Sequence, residues 1–509
     1  MTNEVDVAVV GAGPVGLLTA VELALGGARV VVLERLAEAS TANKALTIGP
    51  LGAEALQRRG TAGAIAAAEA RNLAVAGPPE PQAEAAARPT RSGGHFAGLS
   101  LIRADAQLEP DRQPRLVDQQ AVEAMLADQA EALGIEVRRQ SEVTGFVEQG
   151  DAIEVKSVTP TDQERLGCHF LVGCDGGRSL IRKLAGFSFP GTPTSMTMYQ
   201  AVAEIDRPEL LGRGWRRTPG GMFSHGPFPG RFYLLDFGGP PADREASVTR
   251  QEVEDVLRRV SETDVRVKKL ESASRWADNT RLVDTYRLGR VLLAGDAAHV
   301  HTPFGGQGLS LGLVDAANLG WKLAAVIRGD MPESLLDTYT AERRSVAEAV
   351  LANTLAQMAI MRPDPQSGAM RDIIASLTQF DDANRYIGEM VSGSFTRYNL
   401  GTERDEVGRL IGDRPVRLGG AFTSLYDVMA DGDGVLLDAS NDRKALHLVS
   451  TRKPRIRCVA IGAGRSILIR PDACVAWAGE ENSTDGLEEA FRRWFGPVLD
   501  DGSPGRARP

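Results

Sequence analysis

Three glycines stand at a spacing suited to phosphate binding. Residues 5–10 (VDVAVV) read as a short buried strand, Gly11, Gly13 and Gly16 follow at once, and LLTAVELALGG then has the apolar spacing of a helix. Gly11 suits a tight turn, Gly13 a close approach of pyrophosphate to bare backbone, and Gly16 close packing of helix on strand. The start of such a helix turns free N–H groups and the positive end of its dipole toward phosphate oxygens. The next strand, ARVVVLE, ends at Glu34, 23 residues after Gly11, near the position where an acid accepts a bond from a ribose hydroxyl. A chance run of turn glycines is the bland alternative, and the complete strand–turn–helix–strand–acid order disfavours it. The pattern predicts a dinucleotide with a free ribose 2′-hydroxyl, either NAD or FAD.

The elements around this turn belong to a large globular chain. It has 509 residues, 43% hydrophobic and 25% charged, which allows two or three domains with a sizeable core and excludes disorder, coiled coil and collagen. With 58 Lys and Arg against 67 Asp and Glu the net charge is −9, so nucleic acid and anionic membrane surfaces are not expected partners. No apolar run reaches the roughly 18 to 20 residues that span a bilayer. The opening MTNEVDVAVVGAG lacks a basic stretch before an apolar one, so a cytoplasmic protein without a leader is expected. Cys168, Cys174, Cys458 and Cys474 form no CxxC pair, and Cys168, Cys174 and Cys458, in apolar strand-like stretches, are expected as reduced, buried thiols. No Cys/His cluster has metal-ligand spacing, so no metal is expected.

Two further segments choose between the cofactors. FLVGCDGGRSLIRKLAG sets Asp175-Gly176 at a strand end, and RVLLAGDAAHVHTPFGGQGLSLGLVDAANLGWKLA sets Gly295-Asp296 at another. Pro303, Gly305, Gly306, Gln307 and Gly308 then open a long amphipathic helix from about residue 308. With the glycine turn, these motifs resemble the FAD-dependent aromatic hydroxylases typified by para-hydroxybenzoate hydroxylase, and within them the subgroup that tailors aromatic polyketides and antibiotics. The resemblance covers residues 1–350 well and the remainder more loosely. It implies an α/β fold: a Rossmann-like FAD-binding domain (1–75, 101–186 and 281–395), an inserted β-rich substrate domain (76–100 and 187–280), and a thioredoxin-like C-terminal domain (396–509) without a redox CxxC.

The resemblance also implies site residues. Gly11, Gly13, Gly16, Glu34, Arg35, Lys44, Gln119, Asp175, Asp296, Pro303, Gly306, Gln307, Gly308 and Leu309 are the expected cofactor contacts, with Pro303 and Lys44 nearest the chemistry. Asp296, at the carboxyl edge of a sheet, can accept a ribityl hydroxyl; an N-cap is its bland reading. Bare glycine backbone can lie against a flat ring, and the following helix directs its positive end at the pyrimidine edge, where reduced flavin is negative. Asp175 reads either as a pyrophosphate neighbour or as a simple strand-to-turn Asp-Gly. Lys44 stands where the subgroup usually has arginine, keeping the charge without the planar fork, and Ser310 where it often has asparagine. His299 is expected to be a hydrogen-bonded structural residue, and His301 receives no role. His225, Phe223, Tyr199, Phe232 and Tyr233 are candidates to line the substrate pocket, each with core or surface as its bland reading. The loop-like, Pro- and Ala-rich stretch 76–100 is a candidate cover.

The implied activity is NAD(P)H-dependent monooxygenation of a polycyclic aromatic substrate through a C4a-hydroperoxyflavin. NADPH, or NADH, docks transiently, since no second GxGxxG exists for it; O2 is the co-substrate, and the state is monomer or homodimer. Rival readings are Baeyer–Villiger oxygen insertion, a flavin reductase or dehydrogenase, and a non-catalytic flavin-bearing scaffold. No phenol-deprotonating base can be named from the sequence.

Overall fold

The computed structural model describes residues 4–40, 45–76, 92–226, 228–241, 243, 246–440, 445, 446, 449, 455–462, 464–481 and 483–496. Its first layer is built on β1 (Glu4–Val10), α1 (Pro14–Leu25), β2 (Val30–Leu33), α2 (Gln119–Ala132), β3 (Gln163–Gly173), β4 (Val291–Leu293), α3 (Gln307–Ile327) and α4 (Asp337–Met361). Strands β4, β3, β1 and β2 run parallel in that order, followed by the short strand Glu136–Arg138. Strands buried on both faces read as unbroken apolar runs, as VVVL of β2 does with all four residues buried. The sheet is entered at β1 in its middle, so the chain reverses winding direction between β1 and β3, and the crevice for a ligand opens at that point.

Helices α1 and α3 pack at close range because small residues face each other. A Cβ on Gly320 would lie 2.2 Å from the Cβ of Glu22, and one on Gly312 would lie 2.6 Å from a methyl of Val15. The second residue of α1 therefore touches the second turn of α3, and both helix N-termini arrive at the same edge of the sheet. The segment Phe304–Ile327 is long and apolar enough to cross a membrane, but 89% of its apolar window is buried inside the fold.

A second layer is an antiparallel five-stranded sheet in the order Gly214–Thr218, Gly221–His225, Arg231–Asp236, Thr197–Ile205, Val267–Ala277. The helix Arg250–Ser261 covers one face of it. The other face meets Phe304 and the end of α4 in an apolar layer rich in methionine: Met196, Met198, Met222, Met358 and Met361. Residues 92–103 form a two-stranded hairpin where a loop was expected, and 77–91 lie outside the described residues.

The C-terminal part carries a mixed sheet in the order Ile456–Ala460, Gly434–Asp438, Arg465–Ile469, Val475–Glu481, with the first pair parallel, backed by the helix Leu487–Phe495. The strand GVLLD, fully buried, escaped the sequence reading, while ALHLVST, read as a strand, is helical at its described residues Ala445, Leu446 and Val449. This part is tied to the first layer by a buried ionic cluster. Arg470 donates to both oxygens of Glu342 at 2.7 Å, Lys322 donates to Glu342 at 2.8 Å, and Asn318 bridges Glu342 and Asp472.

Candidate active site

The glycine turn divides its labour among its three positions. Gly11 has φ of +104°, and a Cβ there would lie 2.5 Å from the carbonyl oxygen of Cys174. At Gly16 a Cβ would fall 1.9 Å from the carbonyl oxygen of Gly11, so β1 and α1 can close only on glycine. Gly13 differs: its φ is an ordinary −75° and a Cβ would meet nothing within 4 Å. Gly13 precedes Pro14 at the first turn of α1, where no side chain caps the helix and no acid stands in the first turn. The free N–H groups of that turn therefore face open space. Glu34 braces the turn, accepting from the Ala12 amide at 2.7 Å and the Leu36 amide at 2.9 Å. Each carboxylate oxygen retains a further lone pair for a ribose hydroxyl.

The second half of the site is the turn after β4. Asp315 on α3 holds it from behind, accepting from the Gly295 amide at 3.1 Å, His299 Nε2 at 2.6 Å and Arg343 Nε at 2.7 Å. Burial raises the Asp315 carboxyl, but Arg343 and His299 outweigh it and hold the group below its ordinary range. His299 is thus the structural residue expected. Anchoring Gly295 from inside leaves the neighbouring Asp296 side chain exposed at the carboxyl edge. Past the exposed Pro303, Gly305 and Gly306 take φ of +77° and +63°, and α3 begins at Gln307 with no side-chain cap. The two uncapped helix starts, Pro14 and Gln307, flank Asp296.

Buried polar atoms normally find partners, so orphans mark a missing group. Asp175 Oδ1, His301 Nε2 and Thr302 Oγ1 are buried and have no hydrogen-bond partner among the described residues, and they sit in the motifs that end β3 and β4. An open cradle at Gly13, two free helix N-termini and these orphaned atoms fit a long polar cofactor with a phosphate middle and a flat, electron-poor end. A model of an FAD binding domain matches residues 4–354, and one of the C-terminal domain of aromatic-ring hydroxylases matches residues 404–498. The chain belongs to the FAD-dependent aromatic-ring hydroxylases.

Relatives match over nearly the whole length, most of them monooxygenases. A 12-dehydrotetracycline 5-monooxygenase/anhydrotetracycline 6-monooxygenase of Streptomyces rimosus subsp. rimosus is 38% identical, with 97% of this chain and 99% of that protein covered. The crystal structure of an aromatic hydroxylase from angucycline biosynthesis superimposes with a TM-score of 0.85 at 33% identity, covering 97% of this chain and all of that one. A dialkyldecalin synthase of Streptomyces rugosporus is 33% identical over 97% of this chain and 99% of its own. This protein is an FAD-dependent monooxygenase.

The hydroxylase places its other expected residues unevenly. Lys44 lies outside the described residues. Asp175 takes the plainer of its two readings with one oxygen, Oδ2 capping the Leu180 and Ile181 amides at 2.6 and 3.1 Å, and keeps Oδ1 unpartnered. Gln119 opens α2, its amide bonded to the Ala45 carbonyl and its side chain to Glu123. Gln307 turns its side chain inward to the Met390 carbonyl and Asn353, so only its backbone faces the turn. Leu309 is half-buried against the core, Arg35 is exposed, and Ser310 Oγ accepts from the Gly49 amide at 2.7 Å.

The pocket candidates need correction. Tyr199, Phe223 and Phe232 pack beneath the helix Arg250–Ser261, on the sheet face turned away from the glycine turns, and His225 stacks on Phe232 at 4.8 Å. Side chains alternate across a strand, so the inner face belongs to their neighbours. Tyr233, between Phe232 and Leu234, is the one candidate on the inner side. It receives a bond from Gln200 Nε2 at 3.4 Å and lies 6.1 Å from Trp215, which is 5.8 Å from His95. Trp215, Gln200 and His95, which the sequence reading did not single out, stand beside Tyr233 on this face. TMYQAVAEI and RFYLLD do not alternate apolar with polar residues, so the sequence carries no sign of which face is inner.

Proposed function

We propose that this hydroxylase oxygenates a fused-ring aromatic compound of the polyketide type, held between the five-stranded sheet and the turn Pro303–Gly306. The observation that carries this reading is the whole-length similarity to a 12-dehydrotetracycline 5-monooxygenase/anhydrotetracycline 6-monooxygenase and to an aromatic hydroxylase from angucycline biosynthesis. The buried layer of Met198, Met222, Leu235, Phe304, Met358 and Met361 closes the space between sheet and turn on one side. Residues 76–100 and 187–280 would be the substrate domain, with 396–509 a structural domain without redox thiols.

Within the site, the first turn of α1 at Gly13 would bind the cofactor's pyrophosphate, Glu34 a ribose hydroxyl with Arg35 alongside, and Asp296 the ribityl chain. Gln119 and Asp175 would border the same chain, and Lys44 the ring. The backbone at Gly306, Gln307, Gly308 and Leu309 would lie along the ring, with the positive end of α3 stabilising negative charge at its pyrimidine edge. Pro303 would border the face on which oxygen reacts. FAD bound here supplies two-electron oxidation of NAD(P)H and activation of O2, one atom of which goes to the substrate and the other to water. Phe304 and the methionine layer would keep water from that reaction.

The test is NADPH consumption in air against phenols, anthraquinones, anhydrotetracycline and angucyclines, with products weighed after reaction under labelled oxygen. Substrate-stimulated consumption with one labelled oxygen in a new phenol is the expected result. A labelled ester or lactone would establish oxygen insertion instead. A product formed without label or NADPH would overturn the reading in favour of non-oxygenative chemistry.

A further inference from the structure

His301 carries one of the buried, unpartnered polar atoms of the GDAAHVHTP segment, beside Thr302 Oγ1 and His299 Nδ1. Its Nδ1 lies 2.7 Å from the carbonyl oxygen of Thr302. A carbonyl only accepts, so Nδ1 carries the proton and Nε2 presents a bare lone pair. That lone pair is buried and has no partner among the described residues. Burial, the largest cause, and the nearby His299 lower the imidazole to about 4, so the ring is neutral near pH 7. An unsatisfied acceptor at this depth carries a desolvation cost that a bound donor would remove.

The position of the lone pair is informative. A Cβ on Gly308 would lie 3.4 Å from His301 Nε2, so the imidazole edge stands against the bare backbone at the start of α3. The exposed Asp296 is near enough for its charge to act on the ring. His301 therefore lies between the turn that offers a carboxylate and the helix start that offers N–H groups, and adds a neutral acceptor to them. An isoalloxazine ring has four acceptors, O2, O4, N1 and N5, and in its oxidised form one donor, N3–H; the ribityl chain adds hydroxyl donors. The N–H groups of α3 can serve the acceptors and Asp296 a hydroxyl, which leaves at least one donor for a bare imidazole nitrogen.

We propose that His301 is a cofactor-contacting residue whose Nε2 accepts a hydrogen bond from bound FAD, from the ring N3–H or from a ribityl hydroxyl. The proposal rests on the reading of this site as the FAD site.

The experiment titrates FAD into deflavinated wild-type protein and into His301→Phe, following flavin fluorescence, absorption and midpoint potential, with apoprotein melting as the control for folding. His301→Phe keeps a flat ring and removes the acceptor. Affinity for FAD is expected to fall about 5- to 10-fold, the scale of one net hydrogen bond. A fall together with a shifted flavin spectrum or potential assigns the donor as N3–H, since only that bond polarises the ring. A fall with unchanged spectrum and potential assigns a ribityl hydroxyl. If the Phe variant fails to fold, His301→Gln against His301→Met, of similar length with and without an acceptor, gives the same comparison, and Gln is expected to bind more tightly. Wild-type affinity and spectrum in the Phe variant, or equal affinity of Gln and Met, would overturn the proposal while leaving the FAD site intact. Failure of the wild-type apoprotein to take up FAD would instead overturn the reading on which it rests.

Discussion

Gly13 and Gly16 make the same one-carbon substitution report on two different things. At Gly16 an added methyl would stand 1.9 Å from the Gly11 carbonyl oxygen and 3.3 Å from the Cys174 Cβ, and both neighbours belong to the β1–α1 turn and β3 that form the core. Gly16→Ala must push α1 off the sheet, and a loss of about 1–3 kcal/mol from the apoprotein follows from overpacking alone. At Gly13 the same methyl has free space and an allowed φ. Alanine there gives up a good N-cap, a loss of up to about 1 kcal/mol. It recovers about 0.4–1 kcal/mol by restricting the unfolded chain. The apoprotein should therefore melt within about 2 °C of wild type. The space at Gly13 is where pyrophosphate would lie, so the methyl should weaken FAD at least tenfold. At fixed excess FAD that removes about 1.4 kcal/mol of ligand-linked stabilisation. Melting both variants with and without added FAD, beside a direct titration, reads the two effects separately. A Gly13→Ala protein that binds FAD as wild type does, or a Gly16→Ala apoprotein with unchanged melting, would refute the division of roles.

Four shorter predictions rest on other parts of the structure. Asp296→Ala should lower FAD affinity about tenfold or more with little change in apoprotein melting, because its side chain is exposed; equilibrium titration checks this, and wild-type affinity would remove Asp296 from the site. Phe304→Ala opens the layer over the site, where Phe304 is only 4% exposed, and should raise hydrogen peroxide released per NADPH consumed. Glu342→Ala leaves Lys322 and Arg470 buried without their shared carboxylate, so a loss of about 3–5 kcal/mol is expected in denaturant unfolding of the C-terminal part. His95, pushed down from 6.5 to about 4 by burial, is neutral in the folded protein where the unfolded chain binds a proton, so stability should fall as pH drops from 6.5 toward 4. His95→Phe should reduce that slope in thermal melting, to which His301 also contributes, and lose the bond that Nδ1 accepts from the Gly98 amide.

The cofactor motifs were legible because each couples local sequence to a local backbone need. Gly11 and Gly16 are demanded by contacts with the adjacent turn and strand, and Gly295 by its positive φ and the Val15 side chain. The substrate layer was far less legible. TMYQAVAEI is buried along most of its length on both faces, and Tyr199 and Gln200 take inner or outer roles according to which face the helix Arg250–Ser261 covers, a tertiary fact. Aromatic character misled: Phe223 and Phe232 fill the core under that helix, while the inner face took Met222 and Gln200. The strand Gly434–Asp438 escaped because a fully buried run of five has no periodicity of its own, although Asp431-Gly432-Asp433 before it and Ser440-Asn441-Asp442 after it are turn-forming residue types.

The C-terminal part bears on the site even though it carries no thiol pair. Arg470 reaches Glu342 on α4 and Asp472 accepts from Asn318 on α3, Lys322 joins them at Glu342 and Asn318, and one residue beyond Glu342 the adjacent Arg343 grips Asp315, which holds the Gly295 amide. An unbroken set of buried charges thus runs from the last sheet to the turn that presents Asp296. Ion pairs at this depth are a poor source of net stability, since desolvation offsets most of their attraction. Their geometric demand is strict, however, because Arg470 satisfies Glu342 only when both oxygens are met at 2.7 Å. Docking of this part therefore sets the register of α4 against α3, and with it the position of Asp315 behind the cofactor turn.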